Sequence, residues 1–385
     1  MSVSTQELMR RKRVVREAMA KAEIDVIVVG GSDRFEHRGL VSYLSGFTIA
    51  LFDEFVVLPM DGPLTFFSHY RYGMRHAEYY PAMEHTDFIP LREHHTDPGR
   101  KVAEYMKTFR PKRVGIGNRE GISAEFYLSL LHHLGDIQVI DFSHEMNEIK
   151  MIKSEEEIRL SEEAIKLNED TFHAYLKGVR AGGSEIDAIN EASYFSRKAG
   201  GDDQFWLVGS GVKPVQSPIA LARKKNHVWK KGDLNVIVIE IAGAGGYFGE
   251  IAHLVCIGEP DSEVAKMHNA VMGAQKIAVN AIKPGVMLGD IADKVERYYV
   301  DMGYLPKEKE NRVNATHGNL VGHGQGLDII EFPTILTGDQ TIVQPGMRFN
   351  IHPNIGYPIS CDCYVTTETG VRRLSNLPYE LIVVE

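Results

Sequence analysis

Cysteine is scarce: Cys256, Cys361 and Cys363 are the only three in 385 residues. So few, and an odd number, exclude the disulfide framework of a small secreted fold and suit a reducing compartment. Long apolar runs are missing too. The first, Ile24 to Val29, is far shorter than the ~20 residues that a membrane helix requires. Ser4 to Glu23 is polar and mixed in charge, which argues against a targeting segment. A cytoplasmic protein that crosses no membrane is the expectation. There is no basic excess either. Lys and Arg number 43 against 52 Asp and Glu, a net charge of −9, so no electrostatic footprint for nucleic acid or anionic lipid is present. Walker loop, GxSxG elbow and dinucleotide fingerprint are all absent.

What is there is an ordinary globular composition, 43% hydrophobic and 25% charged, with 36 Gly and 16 Pro. The length exceeds what one hydrophobic core usually serves and predicts two domains, 1–150 and 151–385. Ser4-Thr5-Gln6-Glu7 reads as a capping box that opens a helix. Asp25 to Val29 reads as a strand, and Phe55 to Leu58 with Leu64 to Phe67 as a hairpin. With the helix opened by Asp97-Pro98 and the short strand Arg113 to Gly117, this predicts a small α/β first domain. A second capping box, Ser154 to Glu157, precedes Ile158, Ile165, Phe172 and Val179 at heptad spacing, which predicts one long amphipathic helix. Strands are then expected over Leu234 to Glu240, Tyr247 to Ile257, Met347 to His352 and Cys361 to Thr367. The second domain therefore reads as helices on an antiparallel sheet, an α+β arrangement.

Four local patterns can carry chemistry. His323 stands between Gly322 and Gly324 in a Gly-rich run ending Gln325-Gly326-Leu327-Asp328. It is either a ring with unusual access or an incidental exposed His in a turn. Glu240 ends a buried strand, and Glu250 shares a face with Ala252 and Leu254. A carboxylate there costs several kcal/mol unless a cation, metal or hydrogen bond compensates, the alternative being a solvated sheet rim. His352 alternates with Asn350 and Arg348. Cys361-Asp362-Cys363 is a weak metal signal, since buried Cys is commonly a small apolar packer.

Taken together, these motifs resemble the creatinase/aminopeptidase P/methionine aminopeptidase family. Glu155 to Ala164, the strand pair around Glu240 and Glu250, Gly322 to Leu327, Gln344 to Met347 and Thr367 to Gly370 stand in that family's order and spacing. Tyr43-Leu44-Ser45-Gly46-Phe47 resembles the creatinase-type N-terminal domain. The resemblance covers essentially the whole chain. It implies a pita-bread second domain and a homodimer. The family's peptidases hold two divalent metals on Asp, Asp, His, Glu and Glu, and the matching positions here read Glu240, Glu250, His323, His352 and Cys361. Only the His is unchanged. The family's substrate-side His near Ser217 is also missing, and Ile330 replaces another before the retained Glu331.

These departures are similar to those of the metal-free members, creatinase and ectoine hydrolase; ectoine hydrolase-like sequences share the run Glu240-Ile241-Ala242-Gly243. The resemblance thus implies a hydrolase without cofactor, cleaving a C–N bond of a small guanidine- or amidine-like metabolite. In that reading His323 and His352 move protons, Glu240, Glu250 and Glu331 pair with a substrate cation, and Cys361 is a possible nucleophile. Ser217 lines the substrate site, and Arg71, by position, reaches a substrate carboxylate from a neighbouring subunit. The alternatives are a lyase or Xaa-Pro-type peptidase with one Zn or Fe ion on Glu240, Glu250, His323, His352 and Cys361, or an inactive binding module.

Overall fold

A computed structural model describes residues 3–49, 52–69, 85–88, 96–215, 217–218, 225–308, 320–356 and 360–385. The chain divides into two compact units, Met1–Lys150 with Leu327–Ile330, and Met151–Gly326 with Glu331–Glu385.

The first unit opens with α1 (Thr5–Lys21), whose cap Ser4 accepts from the Glu7 amide. Then come β1 (Val26–Gly31), α2 (Gly39–Ser45), β2 (Glu54–Pro59), β3 (Thr65–Ser68), β4 (His85–Phe88), α3 (Pro98–Lys107), β5 (Arg113–Gly117), α4 (Ala124–Leu134), β6 (Gln138–Asp141) and α5 (Ser143–Met151). The six strands form one sheet in the order β4-β3-β2-β1-β5-β6. β2 and β3 pair antiparallel, as the hairpin signal predicts, while β1 and β5 pair parallel. Val26, Val28, Phe55, Val57 and Val114 pack against Val102, Met106 and Leu130 of the helices. Asp328 belongs to this unit, accepting from the amides of Arg38 and Gly39 and, at 2.5 Å, from Lys150 Nζ.

The second unit begins with α6 (Glu155–Leu176) and α7 (Glu185–Lys198). Ser154 and Glu157 make both hydrogen bonds of the capping box. The helix stops at Leu176, before the last heptad position: Gly178 is a poor helix former, and its amide bonds to the Tyr175 carbonyl in a turn that still buries Val179. A five-stranded sheet follows, made of β7 (Gln204–Gly211), β8 (Ser217–Pro218), β9 (Leu234–Ala242), β10 (Phe248–Ile257) and a C-terminal strand, numbered β16 (Ile382–Val384). α8 (Ser262–Ala281) and α9 (Leu288–Asp301) lead to a second five-stranded sheet: β11 (Gly322–Gly324), β12 (Glu331–Ile335), β13 (Arg348–Ile351), β14 (Asp362–Thr366) and β15 (Val371–Arg373).

Period-2 alternation gives each long strand two working faces. On β10, Ile251 and Val255 join Phe172 and Trp206 in one core, while Ala252 and Leu254 join Val236 and Val238 in another. An antiparallel bridge, Ala252 to Cys361, ties the two sheets together. Glu250 lies two residues from that junction, so the fold delivers it to the seam. Among the described residues, no helix is long and apolar enough to cross a membrane.

Candidate functional site

Glu240 and Glu250 are register partners across the β9–β10 ladder. Like charges directly opposite each other destabilise a sheet, and these two are only 7% and 4% exposed. Water therefore does little to screen them. Each instead receives a side-chain amide. Gln325 Nε2 donates to Glu240 Oε2 at 2.9 Å, and Asn350 Nδ2 donates to Glu250 Oε2 at 2.6 Å. The Asn350 amide is oriented in turn by Cys363, whose thiol donates to Asn350 Oδ1 at 3.1 Å. Burial pushes that thiol up to about 12, so it keeps its proton and remains a donor at neutral pH.

His323 sits on β11, an inner strand between β12 and β13. Its flanking glycines are a packing requirement. A Cβ at Gly322 would meet the Asn350 carbonyl oxygen at 2.3 Å, and one at Gly324 the Phe332 carbonyl at 2.8 Å. The exposed-turn alternative is thereby removed: the His is 4% exposed. Nδ1 lies 2.8 Å from the Gly324 carbonyl, which assigns the proton to Nδ1 and leaves the Nε2 lone pair facing Glu250 Oε2 at 3.5 Å. Burial holds the ring down to about 4, outweighing the opposite pull of Glu250, so the imidazole is neutral at pH 7. The His352 ring stands 5.0 Å from it, tilted by 60°.

One ligand atom each from Glu250, His323 and His352 lies within 4.8 Å of the other two, and all three residues are buried. Among the described residues this is the group of His, Cys and acidic side chains so arranged. A carboxylate oxygen and a neutral imidazole lone pair repel unless a cation lies between them. Two imidazoles and one carboxylate form the donor set of an open catalytic metal site, with coordination positions left for water or substrate. The residues present therefore fit one divalent ion.

The other expected site residues fall elsewhere. Glu331 is engaged by Lys153, whose Nζ donates to Glu331 Oε2 at 2.8 Å, with both side chains almost wholly buried. Its charge is already neutralised, against the expectation that it pairs with a substrate cation. Cys361 packs in an apolar cluster with Leu234, Val236 and Leu254. Burial first, and then the negative charge of Glu250, push its thiol well above the ordinary range. The thiol is thereby kept protonated in the metal-free chain. Ser217 is on the two-residue strand β8, where it pairs with Val208. Arg71 lies outside the described residues. Sequence reasoning missed Gln325, Asn350 and Cys363 as groups that aim the carboxylates. The available signal was the alternation of Arg348, Asn350 and His352 along one strand face, and the position of Gln325 two residues after His323.

Comparison with known proteins corrects the functional expectation. Residues 159–376 match the family model for metallopeptidase family M24, and residues 10–152 that for the creatinase/prolidase N-terminal domain. The chain is 29% identical over 291 residues to an uncharacterized peptidase, YqhT, of Bacillus subtilis, covering 74% of this chain and 78% of that one. It is 30% identical over 283 residues to the probable dipeptidase PepE of Mycobacterium tuberculosis, covering 70% of each. The crystal structure of dipeptidase PepE from Mycobacterium ulcerans superposes with a TM-score of 0.80 at 23% identity, over the full length of both chains, and so shares the fold.

The relatives are named as peptidases, so the expected creatinase-type hydrolase of non-peptide C–N bonds is overturned. The expectation of a site without cofactor falls with it, because the matched family is one of metallopeptidases and three side chains able to hold an ion converge here. The pita-bread fold and the family resemblance stand. This chain belongs to metallopeptidase family M24 and carries that family's creatinase/prolidase N-terminal domain.

Proposed function

We propose that this protein is a metal-assisted dipeptide hydrolase whose ion is held by Glu250, His323 and His352. The observation that carries the reading is the convergence of those three buried side chains, with the His323 proton held on Nδ1 and its Nε2 directed inward. When bound, such an ion polarises a carbonyl oxygen and lowers the pKa of its water towards neutrality.

The protein's own groups do the rest. Asn350 holds the Glu250 carboxylate in one orientation, and Cys363 holds Asn350. The Gly324 carbonyl fixes the His323 tautomer. His352 is the most exposed of the three, at 9%. Little bulk water enters, which strengthens each charge interaction on a scissile peptide. The relatives named as dipeptidases support a short peptide as substrate. The same reading carries forward a cytoplasmic homodimer, supported by the family resemblance and by the scarcity of cysteine.

The test is a panel of dipeptides, Xaa-Pro among them, incubated with chelator-stripped protein and with protein resupplied with Zn²⁺, Mn²⁺, Co²⁺ or Fe²⁺. Hydrolysis that appears only with an added ion is expected. Hydrolysis indifferent to the chelator, or none with any ion, would sink the proposal.

A further inference from the structure

Of the two facing carboxylates, only Glu250 joins the three-residue cluster. Glu240 is tied to a different partner. The amide that donates to Glu240 Oε2, Gln325, also accepts through Oε1 from Arg348 Nη2 at 2.8 Å. Arg348 is 1% exposed. Its Nη1 donates to Ser161 Oγ at 3.3 Å and to the Gln325 carbonyl at 3.4 Å, and its Nε has no hydrogen-bond partner. Among the described residues no carboxylate lies within salt-bridge distance of it.

A buried guanidinium in this position is costly unless a negative charge answers it. Gln325 supplies the link. Its amide dipole points its hydrogens at Glu240 and its oxygen at Arg348, so carboxylate, amide and guanidinium form one polarised chain. We infer that Arg348, linked to Glu240 through the Gln325 amide, is the resident cation of this site and limits the chain to one ion. Arg348 and Gln325 are positioning residues in this scheme; neither touches the reacting atoms.

The charge count agrees. Among the described residues, Glu240 and Glu250 face each other across the β9–β10 ladder, while Glu331 is neutralised by Lys153. One divalent ion together with the guanidinium leaves a single positive charge over, which a bound hydroxide or a substrate carboxylate cancels. Two ions with the guanidinium leave three, among side chains that are almost wholly buried. Repulsion in a low-dielectric interior makes that arrangement much the poorer. The family's two-ion site therefore does not fit these residues, although one ion does.

The inference rests on the reading that the site takes a divalent ion, and metal stoichiometry separates the two. Full-length protein is stripped with chelator, reloaded with excess Zn²⁺ or Co²⁺, passed through a desalting column and assayed for metal by emission spectrometry. Wild type is expected to hold about one ion per chain. Arg348→Lys, which keeps the charge, stays there, and Arg348→Met moves towards two, with Co²⁺ spectra changing from those of an isolated ion to those of a coupled pair. Two ions in wild type would overturn the inference while leaving the metal-assisted reading intact; no ion at all would overturn both. A folded Arg348→Met that still takes one ion removes Arg348 from the role. Should that variant not fold, Glu240→Gln decides alongside wild type. Retention of one ion with Zn²⁺ affinity within about tenfold of wild type is expected, and loss of binding would make Glu240 a ligand and overturn the scheme.

Discussion

Glu331 and Glu250 invite comparison. Both lie on strands of the second unit, both are 4% exposed, and both stand close to His323 in the sheets. Glu331 meets an ammonium, Lys153 Nζ, at 2.8 Å, and the pair closes on itself. Glu250 meets an imidazole lone pair at 3.5 Å and the donor atom of a second His nearby. The difference lies in who supplies the counter-charge. A carboxylate with an internal cation is committed to holding the fold; one met by a neutral amide and imidazoles keeps its charge for a cation from outside. Burial alone does not distinguish them, and the sequence places both beside apolar neighbours.

That contrast can be broken at several points. The largest effect is expected from His323→Ala, which removes one of three donors. Dipeptide hydrolysis should fall to background, a loss well beyond the ~100-fold typical of removing an outer-shell partner, while the circular dichroism spectrum is unchanged. Full activity in a folded His323→Ala protein would remove the residue from the site. Lys153→Met should act on the other member of the comparison. Stranding Glu331 without its cation is expected to cost about 3–5 kcal/mol of stability, read from denaturant unfolding, with metal stoichiometry unaltered. A cost near zero would show that Glu331 has another source of compensation.

A smaller effect sharpens the picture of how Glu250 is aimed. Asn350→Ala is expected to weaken metal affinity by about 10–100-fold, measured by competition with a chelating dye, with less harm to the fold than Lys153→Met causes. The smallest involves His253, on the face of β10 opposite Glu250 and stacked on Phe172 at 5.0 Å. Burial, aided by the positive charges of His268 and Arg373, holds its ring down to about 3. The unfolded chain therefore binds a proton that the folded chain refuses. Stability from this residue is present above pH ~6.5 and is lost as pH falls towards 3, with a slope of at most about 1.4 kcal/mol per pH unit. In metal-free protein, His253→Phe should flatten that acid limb; an unchanged slope would assign the proton uptake to other groups.

Much of the fold was legible because its signals are local. The capping box at Ser154, the hairpin closed by Pro59 to Pro63 and the alternation on β10 each depend on neighbours in sequence. The helix end was misplaced, since the heptad pattern runs past a glycine that the pattern ignores. In the candidate site, His323, His352 and Glu250 stood out by residue type and strand position. What the sequence withheld was orientation across strands. That Cys363 turns the Asn350 amide, that Gln325 bridges Glu240 and Arg348, and that Lys153 satisfies Glu331 are matters of register and rotamer, between residues separated by 13, 23 and 178 positions. Cys361 has a mixed setting that the sequence does not reveal: its side chain packs with Leu234 and Leu254, while its thiol hydrogen-bonds the Glu250 carboxylate.

The bridge between Ala252 and Cys361, which ties the two sheets together, has a kinetic side. The three donors come from segments far apart along the chain, with Glu250 lying 73 residues before His323 and 102 before His352. Closing such distant loops is slow, and no fragment of the polypeptide contains a complete donor set before it happens. On the proposed metal-assisted reading, ion uptake follows assembly of the sheets, as a seal on a finished molecule and not as a nucleus around which it forms.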